Sequence, residues 1–149
     1  MQKALFVDRD NTLNVDCPYC HKIEDLKLIE KNLDIIKKYQ DNYLIIIISN
    51  QSGIRRGYFD YREFYHFHSE LLKLLKNKGI RIDATYICPH RPDENCECRK
   101  PGLGLIYKAV IDFDIDIKNS IIFGDREDVE GEMANKLGIK FIKAYSIQE

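Results

Sequence analysis

The residues best equipped for chemistry in this chain are Asp8 and Asp10, two carboxylates one residue apart at the end of an apolar run. Residues 3–13 read KALFVDRDNTL: Ala4, Leu5, Phe6 and Val7 make the run, and Asp8, Arg9, Asp10, Asn11 and Thr12 end it. A run of this length without polar alternation predicts a strand buried on both faces, as in a parallel sheet. Open α/β sheets place their active sites beyond the carboxyl ends of such strands. Two other predicted strand ends supply partners: residues 44–48 run into Ser49 and Asn50, and residues 120–123 run into Gly124 and Asp125. Arg99 and Lys100 stand at the entrance to a predicted helix. This set contains a nucleophile, a proton carrier, a hydroxyl donor, a cation and spare carboxylates, the parts that phosphoryl transfer needs. Carboxylates facing a phosphate repel it unless a hard divalent cation lies between them. Mg²⁺, which prefers oxygen ligands, is the natural candidate.

A second constellation is built from sulfur. Cys88-Pro89-His90 precedes Cys96-Glu97-Cys98, giving three thiolates and one imidazole within eleven residues. A Cys₃His set closes a tetrahedral Zn²⁺ site and leaves no position for water, so this metal is expected to be structural. The intervening residues have little apolar content, so the loop's shape should depend on zinc. Three thiolates with Zn²⁺ leave a formal charge near −1, which Arg91, Arg99 and Lys100 lie close enough in sequence to offset. The other two of the five cysteines lie in Cys17-Pro18-Tyr19-Cys20-His21. C-P-Y-C is also the spacing of redox pairs and C-x-x-C-H that of haem attachment. A redox pair normally opens a helix, and a haem site needs export, so the spacing by itself argues for neither.

The elements that position these residues alternate regularly. Helices are predicted over 32–40, 61–78 and 103–112, and from Asp125 to Leu137, where Gly138 closes the last. Strands are predicted over 4–7, 44–48, 84–87, 120–123 and 139–142. Leu33 and Ile36 mark the inner face of the first helix. Phe64, Phe67, Leu71 and Leu74/Leu75 mark that of the second, with Asp60 and Glu63 as a capping pair and Gly79 as its stop. Strands alternating with helices predict β-α-β units, hence an α/β fold with a doubly wound parallel sheet. The strand order is not readable from the pattern.

A chain of 149 residues is expected to form one domain. Its 23 basic and 24 acidic residues give a formal net charge of −1, with no general pull toward nucleic acid or membrane. No window approaches the ~18 apolar residues of a membrane span, and the chain enters a strand at once, without a secretion signal. A cytoplasmic monomer acting on a small molecule is expected, with no nucleic acid or membrane partner.

The pattern of an apolar strand followed by D-x-D-x-T-[apolar], then Ser49, Lys100 and Asp125 in order, resembles the haloacid dehalogenase superfamily of phosphatases across nearly the whole chain. The resemblance implies a Rossmann-like fold with Asp8 as nucleophile and Asp10 as general acid/base. Ser49 and Asn50 would bind the phosphoryl group and Lys100 would hold it. Mg²⁺ would be ligated by Asp8, Asp10, Asp125 and a second acid of the last motif. Two departures stand out. Asn11 replaces a usual glycine, which Asn tolerates because it adopts positive φ readily. The position four residues after Asp125 is Val129, so Asp128 is taken as the second acid, with Glu130 on the other side. C-P-H-x-P…C-x-C-R-K-P, with Cys88, His90, Cys96 and Cys98 holding Zn²⁺, is similar to the zinc loop of the heptose bisphosphate and histidinol-phosphate phosphatases. SNQSGIRRGYFD, residues 49–60, resembles the heptose bisphosphate branch and implies Arg56 near a substrate phosphate, beside Arg55. Tyr19 and His21 match that branch's loop, which implies that residues 17–21 face the substrate, and Arg99 points toward the same opening. The stretches between motifs are too short for a cap domain, so loops 14–27 and 53–58 and the zinc loop are expected to roof the site. A phosphorylated sugar substrate, foremost a heptose 1,7-bisphosphate, follows from the resemblance. Histidinol phosphate and a nucleic-acid end remain the alternatives.

Overall fold

The structure is a computed structural model, and it describes residues 1–146. Five strands form one parallel sheet: β1 (Ala4–Val7), β2 (Leu44–Asn50), β3 (Ala84–Cys88), β4 (Ile121–Gly124) and β5 (Lys140–Lys143). Four helices connect them: α1 (Glu30–Tyr39), α2 (Tyr61–Asn77), α3 (Gly104–Phe113) and α4 (Glu132–Leu137). The order across the sheet is β3-β2-β1-β4-β5. The chain builds outward from β1 to β3, then returns to the other side of β1 to lay down β4 and β5. The switch point therefore lies between β1 and β4, which is where such sheets open a crevice at their carboxyl ends. Register pairs Val7 with both Ile47 and Phe123, so the residues just beyond those three strands emerge side by side.

Alternation within each strand sorts the core into two layers. Leu5, Val7, Ile45 and Ile47 pack with Leu33 and Ile36 of α1 and Leu71 and Leu75 of α2. Phe6, Ile46 and Ile48 face the opposite way, onto Leu105, Ile106 and Ala109 of α3 and Met133 and Ala134 of α4. A strand buried on both sides has no polar face to show, which explains the uninterrupted LIIII of β2.

Helix α2 begins at Asp60, whose side chain accepts from the Glu63 N–H, while the Glu63 carboxylate accepts from the Asp60 N–H. This capping box satisfies two end donors, and Gly79 leaves the helix at φ +83. Leu74 is not on the inner face; it is 38% exposed and Leu75 is buried. His68, which carries no apolar signal, is buried beside it and accepts or shares a proton with the Thr85 hydroxyl at 2.9 Å. Among the described residues no helix is long and apolar enough to cross a membrane.

Candidate active site

Asp8 lies just past β1 with only 8% of its surface exposed. Lys100 Nζ donates to Asp8 Oδ1 at 2.7 Å, and the Thr12 hydroxyl donates to Oδ2 at 3.1 Å. Both lone-pair sides of the carboxylate are thus engaged by groups placed from separate parts of the chain. Lys100 is fixed in turn: the Asn50 side chain accepts from its backbone N–H at 2.9 Å and donates to its carbonyl at 3.1 Å. Asn50 is therefore a clamp on Lys100, joining the end of β2 to the start of the α3 segment. Ser49 is buried beside it, and its hydroxyl accepts from Gln51 Nε2 at 2.8 Å.

Asp10 is held by a different set. Arg9 donates to its two carboxylate oxygens at 3.2 Å, Asn14 Nδ2 to Oδ1 at 3.0 Å and Gln51 Nε2 to Oδ2 at 2.9 Å. Arg9 itself is fully buried, with Phe64 and Phe67 under its guanidinium. This is a well-oriented carboxylate at the mouth of the crevice, suited to carry a proton.

Asp8, Asp125 and Glu130 form a second grouping, with one carboxylate oxygen from each within 4.8 Å of the others. Asp10, also expected among the Mg²⁺ ligands, does not bring its carboxylate into this grouping; Arg9, Asn14 and Gln51 hold that carboxylate. Nor does Asp128. Its carboxylate pairs with Arg126 at 2.5 and 3.0 Å and is 69% exposed. Glu130 takes that place, 2% exposed, with Lys100 Nζ at 2.9 Å from its Oε2. The reason is local geometry. Residues Glu127–Gly131 form a π-turn, which holds one residue more per turn than an α-helix and brings the fifth residue after Asp125 inward instead of the fourth. Gly124 makes the room, because a Cβ there would meet the Glu130 side chain at 2.5 Å.

The electrostatics of this trio ask for a cation. Burial, together with a hydrogen bond and repulsion from Asp8, pushes Asp125 up to about 7. Burial and the nearby Asp8 charge likewise raise Glu130 against the pull of Lys100. Lys100 is raised: burial works to lower it, and the Asp8 and Glu130 charges overcome that. One ammonium thus faces three acids, and the unmatched negative charge is what a hard divalent ion would neutralise. Asn11, at φ +69, keeps the tight turn expected of it and donates to Asp125 Oδ2 at 2.9 Å.

The crevice has two parts. The inner cleft, about 290 Å³, is lined by Asp8, Asp10, Ser49, Lys100, Asp125 and Glu130, with Asp16, Arg99 and Arg126 at its edge. The outer cleft, about 400 Å³, takes its lining from three loops: Asp16, Pro18 and Tyr19; Ser52, Gly53 and Arg56; and Arg99. Arg126 borders both. Arg56 faces the outer cleft, with its Nε on the Ser52 hydroxyl at 3.1 Å and its guanidinium 5.7 Å from the Tyr19 ring. Two expected contacts are not brought there. His21 stacks on Phe59 with ring centroids 5.0 Å apart, outside both linings. Arg55 turns to Glu94 of the cysteine loop at 2.7 Å. Asp16, Gln51 and Arg126 escaped the sequence reading because each is an ordinary polar residue whose place only the folded loops define.

Cys88, His90, Cys96 and Cys98 converge with ligand atoms within 4.8 Å of one another. His90 Nδ1 lies 3.4 Å from Cys88 Sγ and 3.2 Å from Cys98 Sγ; Cys96 Sγ lies 3.6 Å from Cys88 Sγ. A 2.3 Å Zn–S bond gives a tetrahedral edge of about 3.8 Å; these separations approach it, while Cys98 Sγ and Cys88 Sγ lie closer, at 2.7 Å. Of the expected neighbouring cations, Arg99 donates to the His90 carbonyl at 3.3 Å. Arg91 pairs instead with Asp93, and Lys100 is committed to Asp8 and Glu130. Cys17 and Cys20 are joined as a disulfide, a pairing the sequence reading did not expect.

Comparison with known proteins follows the same lines. The polynucleotide kinase 3 phosphatase family model matches residues 4–143. A protein of Thermoplasma acidophilum named "Probable D-glycero-D-manno-heptose-1,7-bisphosphate 7-phosphatase" is 52% identical over 140 residues, covering 93% of this chain and 88% of the relative. The D-glycero-alpha-D-manno-heptose-1,7-bisphosphate 7-phosphatase of Campylobacter jejuni is 44% identical over 124 residues, 83% of this chain and 71% of that one. Among solved structures, the D,D-heptose 1,7-bisphosphate phosphatase of B. bronchiseptica, complexed with magnesium and phosphate, superposes with a TM-score of 0.84 at 27% identity. The match covers 94% of this chain and 79% of that one. The chain belongs to the polynucleotide kinase 3 phosphatase family of the haloacid dehalogenase superfamily and is a phosphoric monoester hydrolase.

Proposed function

We propose that this enzyme removes the 7-phosphate of D-glycero-D-manno-heptose 1,7-bisphosphate by way of a phosphate ester on Asp8. The observation that carries the reaction is the Lys100–Asp8 contact of 2.7 Å inside a group of three acids, of which Asp8 and Glu130 are buried and Asp125 half-buried. Asp8 attacks phosphorus, and Asp10 gives a proton to the departing sugar oxygen. Asp10 then takes a proton from the water that frees phosphate from Asp8. Its three fixed donors, Arg9, Asn14 and Gln51, keep it turned toward the opening for both transfers. Lys100 and Ser49 hold phosphoryl oxygens, and oriented donors of this kind act where charge develops. Asp8, Asp125 and Glu130 would hold Mg²⁺, which supplies Lewis-acid neutralisation of the phosphoryl charge when bound. Cys88, His90, Cys96 and Cys98 would hold Zn²⁺ as a structural ion, setting the loop that leads into Arg99 and Lys100.

The choice of a bisphosphate rests on the outer cleft and on the named relatives. Arg56 and Arg99 line that cleft, beyond the charge that one transferred phosphate needs, and a second phosphate gives them a partner. Histidinol phosphate has no such group.

The test is phosphate release over a panel of the heptose bisphosphate, histidinol phosphate and a 3′-phosphorylated oligonucleotide. The heptose bisphosphate should have the highest kcat/KM. Equal or better turnover of either of the others would replace this substrate.

A further inference from the structure

The loop between β1 and α1 holds a four-residue ring, Cys17-Pro18-Tyr19-Cys20, closed by the bond between the two sulfurs. The Cα atoms are 5.2 Å apart, well inside the span a disulfide bridges. So short a ring does little for global stability, because the chain entropy it removes grows with loop length. Its effect is local, and several of its local contacts lead to the active site.

Three of them matter. Asp16, next to the ring, lines both clefts, and Tyr19, within it, lines the outer one. Tyr19 sits at φ +60, a left-handed conformation disfavoured for a bulky side chain. It is held with its ring 4.7 Å from Tyr58 and against the Arg56 guanidinium. On the inner side, the Cys20 carbonyl accepts from Arg9 Nη2 at 3.4 Å, and Arg9 grips Asp10. The ring therefore touches the cleft mouth through Asp16 and Tyr19 and the proton carrier through Arg9.

We propose that Cys17 and Cys20 are a reversible dithiol–disulfide pair whose oxidation sets this loop for substrate, so that substrate affinity follows the surrounding thiol redox state. The inference rests on the phosphatase reading above. Cys17 is partly exposed and Cys20 is 2% exposed, which assigns them unequal roles. The Cys17 thiolate attacks one sulfur of a small-molecule disulfide, R–S–S–R, breaking its S–S bond and expelling RS⁻. The Cys20 thiolate then attacks the Cys17 sulfur, closing the ring and expelling the second RS⁻. The two protein thiols lose two protons and two electrons, and these leave as two RSH. Exchange with a reduced thiol runs the same steps backward. Opening the ring frees Tyr19 from its left-handed conformation and withdraws the fixed edge of the outer cleft. The inner cleft keeps its other supports, since Asn14 and Gln51 also hold Asp10 and Lys100 holds Asp8.

The experiment poises the zinc- and magnesium-loaded enzyme in glutathione buffers from fully oxidised to fully reduced. Each sample is alkylated, and the tryptic peptide of residues 10–22 is weighed to count its thiols. KM is measured for the best phosphate ester of the panel and for p-nitrophenyl phosphate. As the peptide goes from no free thiol to two, KM for the best ester should rise about five-fold, the scale of one lost polar contact. The constants for p-nitrophenyl phosphate should change less than about two-fold, since it is too small to need the outer cleft. The Cys17→Ser/Cys20→Ser enzyme should show the reduced-state KM in every buffer. A peptide that stays oxidised even in dithiothreitol would make the bond a permanent cross-link and overturn the proposal. So would an unchanged KM on reduction, or a redox response that persists in the double variant and so belongs to Cys88, Cys96 and Cys98. The substrate reading fails separately, if the best ester is not the heptose bisphosphate.

Discussion

Among the described residues, the two side-chain clusters that could hold a metal differ in almost every respect. Asp8, Asp125 and Glu130 offer hard oxygens at the switch point of the sheet, beside an open cleft. Cys88, His90, Cys96 and Cys98 offer a full set of soft ligands within one loop. The first leaves room for water and phosphate and is unbalanced in charge; the second is complete in itself. One is arranged to react and the other to hold shape, and Lys100 follows directly on the second to serve the first. Mutations in the two should therefore fail differently.

The largest effect belongs to the oxygen cluster. Asp8→Asn keeps the shape and removes the attacking charge, so kcat should fall by at least about 10⁴-fold with zinc content and folding unchanged. Steady-state phosphate release with parallel metal analysis checks this, and near-normal turnover would remove Asp8 as nucleophile. Asp10→Asn should cost about 10²–10⁴-fold, the value of a positioned proton carrier.

Cys96→Ser should behave in the opposite sense. Zinc should be lost, and the melting temperature should drop by about 10 °C, a few kcal/mol for a domain of this size. Activity should fall with loop order at assay temperature, while Mg²⁺ dependence persists in what remains. Wild-type zinc and melting in this variant would refute the Cys₃His assignment.

The next contrast lies inside the last motif. Glu130→Gln should weaken Mg²⁺ binding by about 10-fold or more, whereas Asp128→Asn should change it less than about two-fold because that carboxylate faces Arg126 and solvent. Isothermal titration with Mg²⁺ reads both, and equal effects would return the role to Asp128. The same titration has a pH dependence. Asp125 is raised to about 7, so below that pH a proton competes with the ion. Mg²⁺ affinity should fall as pH drops from about 7.5 to 5.5, approaching tenfold per unit. A flat profile would mean that Asp125 is not a ligand.

The smallest effect serves as a control outside both clusters. Burial first, then the Arg9 charge, lowers His68 to about 4. Its folded value lies below its unfolded one, so the unfolded chain binds the extra proton between them. Stability should be full above about pH 6.5 and fall by roughly 3 kcal/mol as pH drops to about 4. Urea unfolding of His68→Gln should lose that slope; an unchanged slope would place the acid sensitivity elsewhere.

How much of this was legible in the sequence depended on how local the signal was. Apolar runs ending in polar residues gave β1, β2 and β4 and the candidates Asp8, Ser49 and Asp125, because a doubly buried strand must be apolar throughout. The Cys₃His group was legible because its ligands are rare and close together. Glu130 was not, since an α-helical period points from Asp125 to Val129 and a π-turn leaves no simple mark in composition. Strand order was hidden because the central strands β1, β2 and β4, buried on both faces, read alike. His21 looked like a substrate contact by resemblance, yet packs on Phe59. The ring at Cys17 and Cys20 was read for its surroundings rather than for the bond that closes it.

The central claim is that phosphate passes through Asp8, and it can be read directly. Enzyme and heptose bisphosphate are mixed with Mg²⁺, quenched in acid within milliseconds and reduced with borohydride, which converts a phosphorylated aspartate to homoserine. Mass spectrometry of the peptide spanning residue 8 should find homoserine at that position, dependent on Mg²⁺ and absent from Asp8→Asn. Turnover with no homoserine at residue 8, or homoserine at another acid, would contradict the account.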